Sequence, residues 1–173
     1  MIFLLIFGIV VLLVLIAIFY LMLRPIINGA VFFPTTSGNV EVIKRMAHAK
    51  SGERVADLGS GDGRILMAFA KDKIEICGYE IDPTLVWRSR RMIRKLGLQN
   101  YAKVFRKSFW RRNLSGFNVV IVYGIPYIMR RLERKLKREL KPGSRVISNI
   151  YQFPHWKPKE TNKEKDVYLY IKT

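Results

Sequence analysis

One cysteine, Cys77, and two histidines, His48 and His155, are all that 173 residues offer as thiolate or imidazole ligands. A structural zinc needs four ligands at short spacings, so no metal site is expected. A lone cysteine closes no intrachain disulfide, which suits a reducing compartment. Acids are scarce as well: 13 Asp and Glu stand against 31 Lys and Arg, for a formal net charge of +18. Three kinds of partner answer such a charge: anionic lipid headgroups, nucleic acid, or an acidic protein. No signature of the known RNA-binding modules is present, so nucleic acid is the least favoured and an anionic membrane surface the simplest. Repeats and low-complexity tracts are missing too, leaving one ordinary domain as the expectation.

Charge is absent altogether from residues 1–23, MIFLLIFGIVVLLVLIAIFYLML. A helix of this length reaches roughly 35 Å at about 1.5 Å per residue, enough for a bilayer core of about 30 Å. A cleaved signal peptide would have a basic start, a shorter apolar run and a small-residue cleavage site, and a buried core helix would have a polar face; neither pattern is there. Every Lys and Arg follows the run, beginning at Arg24. The positive-inside bias therefore predicts a single-pass protein with its C-terminal domain on the cytoplasmic, or matrix, side. Three segments are expected: a transmembrane helix at 1–23, a connector at 24–40 punctuated by Pro25, Gly29, Pro34 and Gly38, and a domain at 41–173.

Beyond the connector, strand and helix patterns alternate. RVADL, IEICGYE, AKVFR, NVVIVYG and SRVISNI read as strands, and DVYLYIK as a last strand after a loop rich in Pro, Lys and Glu. Between them, VEVIKRMAHAK, RILMAFAK, PTLVWRSRRMIRKLG and YIMRRLERKLKREL read as helices. Thr35, Thr36 or Ser37 can cap the first of these, and Ile128, Leu132, Leu136 and Leu140 form one stripe on the last. The alternation predicts an α/β fold, a Rossmann-like open sheet with helices on both faces and a shortened C-terminal part. Ligands of such sheets sit at the carboxyl ends of the strands, where strand order reverses.

The stretch at that position is DLGSGDGRI. A P-loop would end in Gly-Lys-Ser/Thr, and a dinucleotide turn would place a third glycine where Arg64 stands. The observed acidic-x-Gly-x-Gly-x-Gly pattern, Asp57 with Gly59, Gly61 and Gly63, resembles motif I of the class I S-adenosylmethionine methyltransferases. That donor carries a sulfonium and an amino-acid moiety rather than a pyrophosphate. Glycines admit its close approach, Asp57 can accept from its ammonium, and Glu80 at the next strand end can take the ribose hydroxyls.

Longer stretches extend the likeness. FPTTSGNVEVIKRM, DLGSGDGRI, GYEIDPTLVWRSR and the block NVVIVYGIPYIMRRLERKLKREL with SRVISNIYQFPHW resemble a family of membrane-anchored protein-lysine N-methyltransferases, in a prokaryotic-type form. Its members act on the adenine nucleotide translocase and on the small proteolipid of ATP synthase. The resemblance runs through Trp156. It implies donor contacts at Asp57, Gly59, Ser60, Gly61, Asp62, Gly63 and Glu80, with Thr35 in a Pro34-Thr35-Thr36 cover over the pocket. Ser108 and Phe109 fall where relatives carry an acid for the adenine amino group, and the uncharged Ser108 is expected to accept there more weakly.

For the amine, the Asp/Asn-Pro-Pro-Tyr pattern that many amino-group methyltransferases carry after the fourth strand is reduced to Gly124-Ile125-Pro126-Tyr127. Either the Gly124 and Ile125 carbonyls orient the amine while Tyr127 offers its π face, or Pro126 simply opens a helix. His155 is either a base or a packing neighbour of Trp156, packing being favoured. The activity implied is methylation of lysine in a membrane-associated protein. A lipid-headgroup or small-amine methyltransferase, and a donor-binding protein without turnover, are the alternatives. Basic residues of the two long helices, Arg88 to Lys95 and Arg130 to Lys141, are expected to meet an anionic membrane or the substrate.

Overall fold

The computed structural model describes residues 2–28 and 33–173, with side chains placed for 2–20 and 33–173. The chain divides into two units, residues 1–31 and 32–173. In the first, helix α1 covers Ile2–Asn28, five residues beyond the predicted end of the apolar run. Its segment Ile2–Tyr20 has a mean hydropathy of 3.5 and no burial, so it is long and apolar enough to cross a membrane. Gly29, expected to mark a turn in the connector, lies outside the described residues.

The second unit is a seven-stranded sheet in the order β3-β2-β1-β4-β5-β7-β6. Its strands are β1 (Arg54–Leu58), β2 (Glu75–Glu80), β3 (Ala102–Arg106), β4 (Val119–Val122), β5 (Arg145–Asn149), β6 (Glu160–Asn162) and β7 (Val167–Ile171). The first five are parallel, while β7 runs antiparallel between β5 and β6. β6 is a correction, since the sequence pattern places these residues in a loop. Its Glu-Thr-Asn sequence has no apolar alternation because it is a short edge strand with little to bury. Every residue of β4, Val119–Val122, is buried, as a strand covered on both faces requires.

Helices α2 (Ser37–Ala47), α3 (Arg64–Lys71), α4 (Pro83–Lys95) and α5 (Pro126–Glu139) connect and cover the strands. The capping element of α2 is Thr36, whose hydroxyl accepts from the Asn39 amide at 3.3 Å, so the helix begins inside the expected connector. Asp82 caps α4 through the amides of Thr84 and Leu85. Pro126 occupies the first turn of α5, where its missing N–H costs nothing.

Two apolar cores result. One joins Ile43 and Met46 of α2, Leu66 and Phe69 of α3 and Val86 and Ile93 of α4 to one face of the sheet. The other joins Ile128, Leu132 and Leu136 of α5, with Leu114, Phe117 and Phe153, to the opposite face. The predicted stripe is thus the buried side of α5, and the two strongly basic helices lie on opposite faces. A single flat surface cannot meet both broad faces at once. Nor are all their cations free: Glu133 and Glu139, the two acids of α5, pair with Lys137 and Lys135, and Arg90 donates to the Val104 carbonyl.

Candidate active site

Strand order reverses between β1 and β4, and the glycine turn leaves β1 at that point. Register sets its neighbours. Asp57 lies between Gly78 of β2 and Ile121 of β4, and Leu58 between Tyr79 and Val122. The turn is stapled to β2 by the amides of Gly59 and Ser60, both donating to the Tyr79 carbonyl at 2.9 and 3.2 Å. Gly59, Gly61 and Gly63 have φ of 88°, 54° and 84°, a backbone that side chains rarely adopt. Gly63 is constrained twice over, since a Cβ there would stand 2.1 Å from the buried Ser89 Oγ of α4. The turn therefore seats the start of α3 directly on α4.

Three acids meet at this turn. Asp57 is 3% exposed, and its Oδ2 is buried with no hydrogen-bond partner. Burial, with Glu80 and Asp62 nearby, pushes its carboxyl up to about 8. Glu80 Oε2 accepts from the Gly61 amide at 2.9 Å, and Oε1 from the amides of Ile81 and Asp82 at 2.7 and 2.9 Å. Three backbone donors leave a carboxylate about one further acceptor direction. Asp62 is held low chiefly by its hydrogen bonds from Arg64, at 2.7 and 3.0 Å. A cluster of carboxyls in a chain of +18 is a local inversion of sign. It favours a ligand with a cationic head, and an orphaned buried carboxyl oxygen fits an ammonium group.

The expected cover stands beside this cluster. Arg64 donates through Nη1 to the Thr35 carbonyl at 2.6 Å while gripping Asp62, which ties the strap 33–36 to the glycine turn. Thr35 is buried, and the strap's other end is fixed where Asn39 of α2 donates to Asn149 at the end of β5, at 2.8 Å. The sequence pattern assigns no role to Arg64, Asn39 or Asn149. A visible signal existed for Arg64, an arginine two residues after an acid at a helix start, but its second partner is 29 residues away. Nothing in the sequence links Asn39 to Asn149.

Ser108 and Phe109 follow β3, the strand beside β2, on the same carboxyl edge as Glu80. Ser108 is half-buried, and Phe109 is buried with its ring 4.7 Å from that of Trp110. On the other side of the turn, Val122 pairs with Leu58, so residues 123–127 leave β4 next to Gly59. Pro126 opens α5 and Tyr127 sits in its first turn, 56% exposed. Gly124 is tightly seated, because a Cβ there would lie 2.7 Å from Met129 Sδ.

His155 is not brought to this edge. Its amide donates to Glu133 Oε2 at 2.9 Å and its carbonyl accepts from Lys137 Nζ at 3.0 Å. Those partners lie seven or more residues into α5, roughly 10 Å from its start. Its side chain is exposed. Trp156, not His155, does the packing there, against Phe153 and Tyr170 at 5.7 and 5.4 Å.

Comparison with known proteins agrees with this geometry. Residues 57–160 match the family described as the ANTKMT methyltransferase domain. A mouse adenine nucleotide translocase lysine N-methyltransferase is 35% identical over 120 residues, covering 69% of this chain and 52% of the relative. The chain thus spans about half the length of that protein. A protein-lysine N-methyltransferase of Saccharolobus islandicus is 32% identical over 148 residues, 81% of this chain and 92% of the relative. Among solved structures, an RNA methyltransferase from Salinibacter ruber, in complex with S-adenosyl-L-homocysteine, superposes with a TM-score of 0.76 at 30% identity, covering 80% of this chain and 93% of that one. The sheet order, the acidic glycine turn and these likenesses converge: the chain belongs to the ANTKMT methyltransferase domain family, with the fold of the class I S-adenosylmethionine-dependent methyltransferases.

Proposed function

We propose that the chain is a membrane-anchored protein-lysine N-methyltransferase that draws its methyl group from S-adenosylmethionine. The observation that carries the reading is the buried Asp57 carboxyl, its Oδ2 unpartnered, beneath a glycine turn that leaves the switch point of the sheet. When bound, the donor supplies a methyl group made electrophilic by its sulfonium. Asp57 would receive the donor's ammonium, and the remaining acceptor direction of Glu80 its ribose hydroxyls. Gly59, Ser60, Gly61, Asp62 and Gly63 would form the floor, Ser108 and Phe109 the adenine end, and Thr35 the cover. The lysine target is supported by the mouse and Saccharolobus islandicus relatives, whose names specify lysine.

Positioning is the chain's main contribution to such a displacement. Residues 123–127 leave β4 beside the turn, and there the Gly124 and Ile125 carbonyls would orient an incoming amine while the Tyr127 ring would favour its growing positive charge. Lysine must arrive neutral, having released its proton to solvent, and desolvation on entry would lower its pKa. Residues 1–23 would cross the bilayer, residues 24–40 would link and cover, and 41–173 would catalyse on the cytoplasmic or matrix side. Tethering raises the local concentration of targets in the same membrane. The exposed arginines of one basic face, such as Arg130, Arg131, Arg134 and Arg138 on α5, would rest on anionic headgroups.

Purified full-length protein incubated with membranes and methyl-labelled S-adenosylmethionine tests this. Label that survives lipid extraction and maps to lysine is expected. Label only in lipid would replace the substrate class, and measurable donor binding with no label anywhere would replace catalysis by binding.

A further inference from the structure

The loop 107–118 between β3 and β4 has no part in the proposed reaction beyond Ser108 and Phe109, yet it builds a second concavity. A groove of about 540 Å³ is lined by Trp110, Arg111, Arg112, Asn113 and Ser115 of this loop and by Lys135, Arg138 and Glu139 at the end of α5. It shares no residue with the glycine turn or with the strand-end acids.

Four cations line it against one carboxylate, and that carboxylate is already occupied. Glu139 accepts from Lys135 Nζ at 2.8 Å through both oxygens, from the Leu114 amide at 3.2 Å and from Arg138 at 3.3 Å. Lys135 is in turn fixed by the Arg112 carbonyl at 2.7 Å. Its charge is spent on the fold. Arg111 and Arg112 have no carboxylate in the groove left to pair with.

Two donors of its lining residues lack partners. The Trp110 indole Nε1 and the Arg112 Nε are buried with no hydrogen-bond acceptor. Leaving such donors unsatisfied is costly, and more so for a charged group. The ring of Trp110 is held on its face by the Arg131 guanidinium at 4.3 Å, which adds a further positive charge at the rim. Paired guanidinium forks and an indole N–H match a tetrahedral oxyanion better than a planar carboxylate, since several oxygens can accept at once.

We propose that this groove binds a phosphate monoester, with Arg111, Arg112 and Arg138 supplying guanidinium donors and Trp110 its indole N–H. The phosphate is carried either by a soluble molecule or by a lipid headgroup, and the chemistry of recognition is common to both. The site is independent of the methyl-transfer reading.

The test uses full-length protein in neutral detergent micelles with 15N-labelled tryptophan, whose three indole signals belong to Trp87, Trp110 and Trp156. Inorganic phosphate is titrated at constant ionic strength against chloride, and phosphatidic acid is doped into the micelles in a parallel series. The Trp110 indole N–H signal is expected to shift saturably while the other two hold still. A response to inorganic phosphate identifies a soluble ligand as sufficient, and a response only to phosphatidic acid identifies a headgroup. Arg138→Gln, at an exposed position, and Arg112→Gln should each weaken the response at least about tenfold. S-adenosylmethionine binding, measured on the same samples, should stay unchanged in Arg138→Gln. No Trp110 response to either ligand, or a response that both variants keep at full strength, overturns the proposal whatever the donor binding shows.

Discussion

Replacing Asp57 with asparagine keeps the shape of a fully buried side chain and removes a carboxyl whose proton the fold holds well above the usual carboxylate range. Its carboxyl is pushed up to about 8 by burial and by Glu80 and Asp62, against 3.8 for an ordinary aspartate. A group raised in this way binds its proton more strongly in the folded chain than in the unfolded one. The stability it contributes is present below about 4 and is lost as pH rises through about 8. Within that window each pH unit costs about 1.4 kcal/mol, so roughly 3 kcal/mol should disappear between about pH 5 and 7.

The acids held low, Asp62 by Arg64 and Glu53 and Glu139 by Arg145 and Lys135 against the opposing effect of burial, act with the opposite sign. Their contribution is present above about 4.5 and falls away only in acid, outside this interval. Urea unfolding of full-length protein in micelles, followed by tryptophan fluorescence across this range, reads the slope. Wild type should lose stability as pH rises, and Asp57→Asn should be flat. Equal slopes in the two proteins would refute the reasoning. A further consequence concerns the donor. An ammonium set beside Asp57 draws the carboxyl back down, so S-adenosylmethionine binding near neutrality should release close to one proton. Calorimetry in buffers of different ionisation enthalpy counts it, and Asp57→Asn should release none.

Other expectations rest on single contacts. Gly63→Ala combines a φ of 84° with a Cβ 2.1 Å from Ser89 Oγ, which should cost about 2–5 kcal/mol in thermal unfolding. Ser89→Gly should recover part of that loss, and a Gly63→Ala protein as stable as wild type would contradict the packing described. Arg64→Ala cuts the tie to the Thr35 carbonyl, so amide exchange at residues 36–40 should speed up while that of the β1 core amides holds; unchanged protection would show that the strap is held otherwise. Glu80→Ala removes the acceptor of three backbone amides as well as the proposed ribose partner, and should abolish S-adenosylmethionine binding. Wild-type affinity in that variant would overturn the site.

Much of the fold was legible because its signals are local. Strands β1 and β3 and helix α3 stand where the alternation and the apolar spacing placed them, and Pro83 and Gly97 bracket α4 as helix punctuation should. What escaped was nonlocal. β6 is a strand only because β7 offers an edge to pair with. Thr36 became the cap among three neighbouring candidates because Asn39 is also anchored to Asn149 across 110 residues. The distribution of basic residues was plain, but not that α4 and α5 cover opposite faces, nor that Lys135 and Lys137 are committed to acids of their own helix.

By itself the sequence determined a long apolar helix, an acidic glycine turn after a strand, a second strand-end acid and an excess of positive charge. These are properties of composition and short spacing, which no packing can alter. Tertiary structure alone decided what that chemistry faces. It buried Asp57 Oδ2 without a partner and filled all but about one acceptor direction of Glu80 with backbone donors. It also carried His155 away along α5 and gathered Trp110, Arg111 and Arg112 against the end of that helix. Burial and neighbouring charge set the protonation and the free valences of a side chain, and both depend on residues distant in sequence.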